Sequence, residues 1–183
     1  MGRNYSVRIK TKLPVSIQPN IGLGGDERDS IMEILNINLA DEALLTMKTR
    51  SAHWHVRGPG FLELRTLFDQ QVRQLNKILD EIAERVRILG GYSISSFEEF
   101  LSYTRLQEQP GEGPEVINLL ADHEALIRFL REDARKCLEV YEDHGTNATF
   151  VSFISAHEKM AWILRSKIES GTPSGESQDN KAA

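Results

Sequence analysis

The chain contains one cysteine, Cys137, among 183 residues. A single thiol excludes an internal disulfide, so the fold rests on its core, as in a protein of a reducing cytoplasm. Aromatic residues are scarce at 7%. No apolar run approaches the twenty or so residues that span a bilayer, so no membrane helix is expected. The basic start of the chain, Met1 to Lys12, is not followed by an apolar stretch and does not read as a secretory signal. No Glu-x-x-His tetrapeptide occurs, which argues against a di-iron site housed inside one helical bundle. No segment shows strand-like alternation bounded by turns, and no internal repeat is visible.

What is present is charge and helical periodicity. The net charge is -5. An acidic body attracts cations and does not coat DNA generally. Arg3, Arg8, Lys10 and Lys12 form a small basic tail without acidic neighbours. The polar, Ser/Gly-rich stretch 171–183 reads as disordered. The expected organisation is a basic flexible tail over 1–28, one bundle domain over 29–170 and a polar tail over 171–183.

Residues 61–89 carry the clearest pattern. Phe61, Leu64, Phe68, Val72, Leu75, Leu79, Ile82, Val86 and Leu89 recur every three or four positions, and Gly90-Gly91 follows. An earlier helix is expected over 30–56, with Ser30 and Glu33 at capping-box spacing and Gly58-Pro59-Gly60 as the stop. Ser95 and Glu98 predict the cap of a short helix over 97–103. Pro114 opens a third long helix with Leu120, Leu126, Leu130, Ala134 and Cys137 inward, ended by Gly145. A fourth, over 147–169, turns Phe150, Ile154, Ala161 and Leu164 inward. The fold class is therefore all-α. Four long helices with one long connection, itself holding a short helix, make a ferritin-like four-helix bundle.

Asp69, Asp80 and Glu84 lie beside the apolar stripe of the second helix rather than opposite it. Asp69 and Asp80 are about 20° apart in azimuth but about 16 Å apart along the axis. One metal ion cannot reach both with bonds of about 2 Å. If they bind metal they belong to separate half-sites, and an antiparallel two-fold dimer would join one chain's Asp69 end to the other's Asp80 and Glu84.

The segment T-R-S-A-H-W-H-V-R-G-P-G-F-L-E-L-R-T-L-F-D, with D-E-I-A-E-R-V-R-I-L-G-G after it, resembles the signature of the Dps family. These mini-ferritins are named as DNA-binding proteins from starved cells. H-E-K-M-A-W-I-L-R in the last helix also resembles family members. The resemblance implies a dodecameric cytoplasmic cage. In it a ferroxidase centre at the dimer interface oxidises ferrous iron, preferably with hydrogen peroxide, and ferric mineral is stored inside. By motif, His53 and Asp69 fall in one half-site and Asp80 and Glu84 in the other, with Glu84 bridging two irons. Carboxylates with imidazole suit Fe(II).

The chain departs from the motif at Arg65, where a second histidine is expected. A guanidinium has no lone pair for a metal. Arg65 stands four residues before Asp69, at ion-pair spacing, and its fixed charge can take the place of one iron. His157, on the inward stripe of the last helix, and His55, near His53, are the candidate replacements. His123 reads as a core histidine, His144 as a helix C-terminal residue and Cys137 as inert packing. Glu142 and Asp143 are candidates for an acidic pore, and Trp54 for an electron donor beside the site. The alternative to a ferroxidase is a non-enzymatic cage with a decayed metal centre. Such a cage would associate with DNA and the nucleoid through twelve basic tails.

Overall fold

A computed structural model describes residues 17–111 and 113–171. Of the tails expected over 1–28 and 171–183, residues 1–16 and 172–183 lie outside the described residues. The helices are α1 (Gly25–His55), α2 (Phe61–Ile88), α3 (Phe97–Tyr103), α4 (Val116–Glu139) and α5 (His144–Gly171), with no strand among the described residues. α1 pairs with α2, and α4 with α5; α1 also packs on α4, and α2 on α5. The long connection between α2 and α4 carries α3 across α1. This is the all-α four-helix bundle with one crossover that the periodicity predicts.

The α2 boundaries follow the sequence closely. Gly58 and Gly60 take positive φ in the turn that starts it. Gly90, at φ 91°, ends it, and a Cβ there would also come within 2.8 Å of Pro19 Cδ. The core is continuous through Leu35, Leu39, Phe68, Leu75, Ile82, Leu126, Leu130, Phe150 and Phe153. Phe150 and Phe153 meet edge to face at 6.5 Å. Leu120, Ala134, Cys137, Ile154, Ala161 and Leu164 are inward as expected. Burial pushes the Cys137 thiol up to about 12, helped by the charges of Asp143 and Asp133, so it stays an unreactive thiol.

Three boundaries differ from the sequence reading. α1 begins at Gly25, before Ser30, and the Ser30 hydroxyl donates back to the Asp26 carbonyl instead of capping. α3 does have a capping box, but one residue later: Ser96 Oγ accepts from Glu99 N–H, and Glu99 accepts from Ser96 N–H. α4 stops at Glu139, and α5 already starts at His144, so His144 sits at a helix N-terminus. The junction is set by Asp143. Its carboxylate accepts from the Gly145 and Thr146 amides and from the Thr146 hydroxyl, and binds the Arg85 guanidinium at 2.9 Å. Burial alone would raise this carboxyl. The bonds from Thr146 and the charge and bonds of Arg85 override it and hold Asp143 below the usual carboxylate range. A buried carboxylate so engaged cannot line a pore; Glu142, beside it, is exposed.

A second polar network fastens the connection to the bundle. Asp41, fully buried on α1, accepts from the backbone and guanidinium of Arg105 and from the Thr104 hydroxyl. Arg105 continues to Asp133 on α4 and to Asn38 on α1, with its guanidinium 4.2 Å over Phe129. Asn36 receives the Ile94 amide and donates to the Tyr92 carbonyl.

Candidate metal site

His53 belongs to the last turn of α1 and is half-buried. The short Gly58-Pro59-Gly60 turn then brings the first turns of α2 back alongside it. The closeness is fixed by Arg65: its Nη1 donates to the His53 carbonyl at 3.3 Å, and its guanidinium carbon lies 6.0 Å from the Phe61 ring centre. Arg65 does not pair with Asp69, contrary to the expectation from spacing. Asp69 is half-buried and takes Arg73, one turn further on, at 2.8 Å. The guanidinium that could have reached Asp69 is turned back toward the end of α1.

Asp80 and Glu84 stand one turn apart toward the other end of α2. Both are exposed and neither makes an ion pair with a described residue. The arginines that follow are engaged elsewhere, Arg85 with Asp143 and Arg87 with the Gly91 carbonyl. Among the described residues, no three His, Cys, Asp or Glu side chains are grouped so as to hold a metal ion. A single chain thus offers two partial sets, His53 at the end of α1 with Asp69 on α2, and Asp80 with Glu84 further along α2.

His157 is not brought to either set. It is fully buried inside the bundle, where its Nε2 lies 2.8 Å from Glu42 Oε1 and its Nδ1 2.9 Å from His123 Nδ1. Glu42 precedes His53 by eleven residues on α1, about 16 Å of helix rise, so His157 cannot replace the missing histidine. His157 Nε2–H donates to the Glu42 carboxylate, and one proton is shared between its Nδ1 and His123 Nδ1. His123 Nε2 and Glu42 Oε2 have no partner among the described residues. Burial, and then the neighbouring His157, hold His123 well below the usual histidine value. His55 is exposed and turned back to the Ser51 carbonyl at 2.8 Å, so it too is directed away from His53. Trp54 and Trp162 are largely exposed on the single chain rather than in its core.

Sequence reasoning found His123 in the core but missed Glu42, its indirect partner. Glu42 lies 115 positions from His157, and no local pattern joins them. The only available signal was a pair of acids, Asp41 and Glu42, set between Leu39-Ala40 and Ala43-Leu44 on the first helix.

With this geometry in view, the likenesses to known proteins agree. Residues 32–171 match the family model of the ferritin-like domain. An uncharacterized low temperature-induced protein of Nostoc sp. is 43% identical over 82% of this chain and 86% of its own length. The DNA protection during starvation protein of Agrobacterium fabrum is 32% identical over 80% of this chain and 93% of its own. Among solved structures, DpsC from Streptomyces coelicolor superposes with a TM-score of 0.81 at 26% identity, covering 98% of this chain and 99% of that one. A Dps protein from Vibrio cholerae, described as a member of the ferritin-like diiron-carboxylate superfamily, gives 0.77 at 26% identity, covering 84% and 98%. The bundle, its crossover helix and these relatives together place the chain in the Dps family of ferritin-like proteins.

Proposed function

We propose that this chain binds ferrous iron at sites shared between two copies, oxidises it with hydrogen peroxide or oxygen, and stores the ferric product in a dodecameric cage. The product would be a mineral, and the consequence protection against oxidative stress. The observation that carries the reading is the pair Asp80 and Glu84: exposed, one turn apart, without an ion pair to a described residue, on the same helix as Asp69. Carboxylates left unpaired on a helix face suit a hard divalent cation. Neither partial set is a full coordination shell by itself. An antiparallel pairing of two α2 helices would complete each with His53 and Asp69 of the other copy. The bundle interior is taken up by the bonded Glu42, His157 and His123, which favours sites between chains.

The test is the double variant Asp80→Ala with Glu84→Ala. Rapid iron oxidation should be lost while native mass spectrometry gives an assembly of unchanged size. Oxidation at the unaltered rate would remove these residues from the site.

Arg65 supports a second reading, a cage that associates with DNA and whose metal chemistry has decayed. Several relatives are named for DNA protection during starvation. Gel shifts at low and moderate salt discriminate, because binding through the basic tail must fall steeply as salt rises.

A further inference from the structure

We infer that Arg65 limits each shared site to a single divalent ion, held on the Asp80 and Glu84 side. The inference rests on the site reading above and concerns how many ions it takes. Three observations carry it.

The first is that Arg65 is anchored. One end of its fork donates to the His53 carbonyl, and the plane borders Phe61. The residue is half-buried, so the charge is fixed beside the turn that presents His53. A guanidinium neither loses its proton nor offers a lone pair, so it can only repel a cation there.

The second is that Asp69 already has a cation beside it. Its Oδ2 is held by Arg73 at 2.8 Å. The His53 and Asp69 set therefore carries one carboxylate between two guanidiniums, each one helical turn from it.

The third is the contrast at the other end. Asp80 and Glu84 contribute two negative charges. The nearby Arg85 and Arg87 are occupied by Asp143 and by the Gly91 carbonyl. The two halves differ in formal charge, positive at one and negative at the other. A divalent cation is drawn to the second and repelled from the first, and the difference is largest where protein excludes water.

The test is an anaerobic titration of the full chain with Co(II), read by visible absorption and by metal analysis after dialysis. A two-fold dimer has one shared site per chain. The native protein should saturate at about one ion per chain. Arg65→His should saturate at two, and Asp80→Ala with Glu84→Ala should abolish binding in both backgrounds. Arg65→Gln removes the charge and keeps a donor for the His53 carbonyl. It should tighten binding of a second ion at least tenfold, and it decides the matter if Arg65→His does not assemble. Two ions per chain with Arg65 in place, or a single ion in both Arg65 variants, would overturn the inference and leave the site reading intact. Co(II) binding that does not depend on Asp80 and Glu84 would instead overturn the site reading, and this inference with it.

Discussion

His157 donates from Nε2 to Glu42 Oε1 across 2.8 Å in the fully buried interior of the bundle, joining α5 to α1. Glu42 has no other partner among the described residues, and its second oxygen is unbonded. Removing the imidazole therefore strands a buried carboxylate. His157→Ala should destabilise the protein by about 3–5 kcal/mol, the usual cost of breaking a buried pair from one side. Replacing both residues by apolar ones, His157→Leu with Glu42→Leu, should cost less than the single change, because no charge is left alone. Denaturant unfolding of the native chain, His157→Leu, Glu42→Leu and the double variant as a double-mutant cycle, with His157→Ala measured beside them, checks this. A double variant no more stable than His157→Ala would show that the pair is not coupled.

The same cluster makes stability depend on pH. His123 is held neutral by burial and by His157, its value lying well below 6.5. Below pH 6.5 the unfolded chain binds a proton there that the folded chain refuses. The contribution is complete above 6.5 and is lost as pH falls toward the depressed folded value. The groups facing His123 inside the bundle are His157 and, through it, Glu42. Thermal midpoints should fall between pH 7 and pH 5, and His123→Phe should flatten that slope relative to the native chain. An equal slope in the variant would place the acid sensitivity elsewhere. Asp143, held low by Thr146 and Arg85 against its burial, adds a loss that begins only below the ordinary carboxylate value of 3.8.

Glu142 has φ 51° in the turn between α4 and α5, the one non-glycine residue at positive φ among those described. It lies two residues beyond Val140, the C-cap of α4, and the Asp143 amide that follows reaches back to the Cys137 carbonyl at 2.9 Å. A side chain in this conformation costs about 1–2 kcal/mol, offset in part by the larger unfolded entropy of glycine. Glu142→Gly should therefore raise stability by up to about 1 kcal/mol. Calorimetry of the variant at neutral pH measures it, and a lowered midpoint would mean that the glutamate makes a compensating contact in the assembled protein.

The elements legible in the sequence are those whose burial is one-sided. α2 shows a full stripe because its other face is polar, and its glycine turns stand at both ends. α1 is harder to read because it is buried nearly all round. Asn36, Asn38, Asp41 and Glu42 face inward beside Leu35 and Leu39, so polar letters break the periodicity and hide the true start at Gly25. The shifted cap of α3 has a simpler cause. Ser95-Ser96 and Glu98-Glu99 offer the same spacing twice, and only the backbone geometry selects Ser96. At the candidate site, the one-dimensional spacing gave the separation of Asp69 from Asp80. It did not reveal that Arg73 rather than Arg65 takes Asp69, because both stand four residues from it.

Arg105 is the clearest case of a structural residue that no motif announces. Its fork spans Asp41, Asp133 and Asn38 while its face rests on Phe129, so one side chain ties the connection to both α1 and α4. Lysine can supply the charge but not the planar set of donors, and it cannot stack as the guanidinium does. Arg105→Ala should cost about 3–5 kcal/mol, since Asp41 is left fully buried without its cation. Arg105→Lys should recover less than half of that loss. Because Arg105 lies far along the bundle from Arg65, both variants should keep the native Co(II) stoichiometry wherever they remain folded. Denaturation curves combined with that titration separate the roles. A lysine variant as stable as the native chain would show that charge alone, rather than the forked and stacked geometry, holds the connection in place.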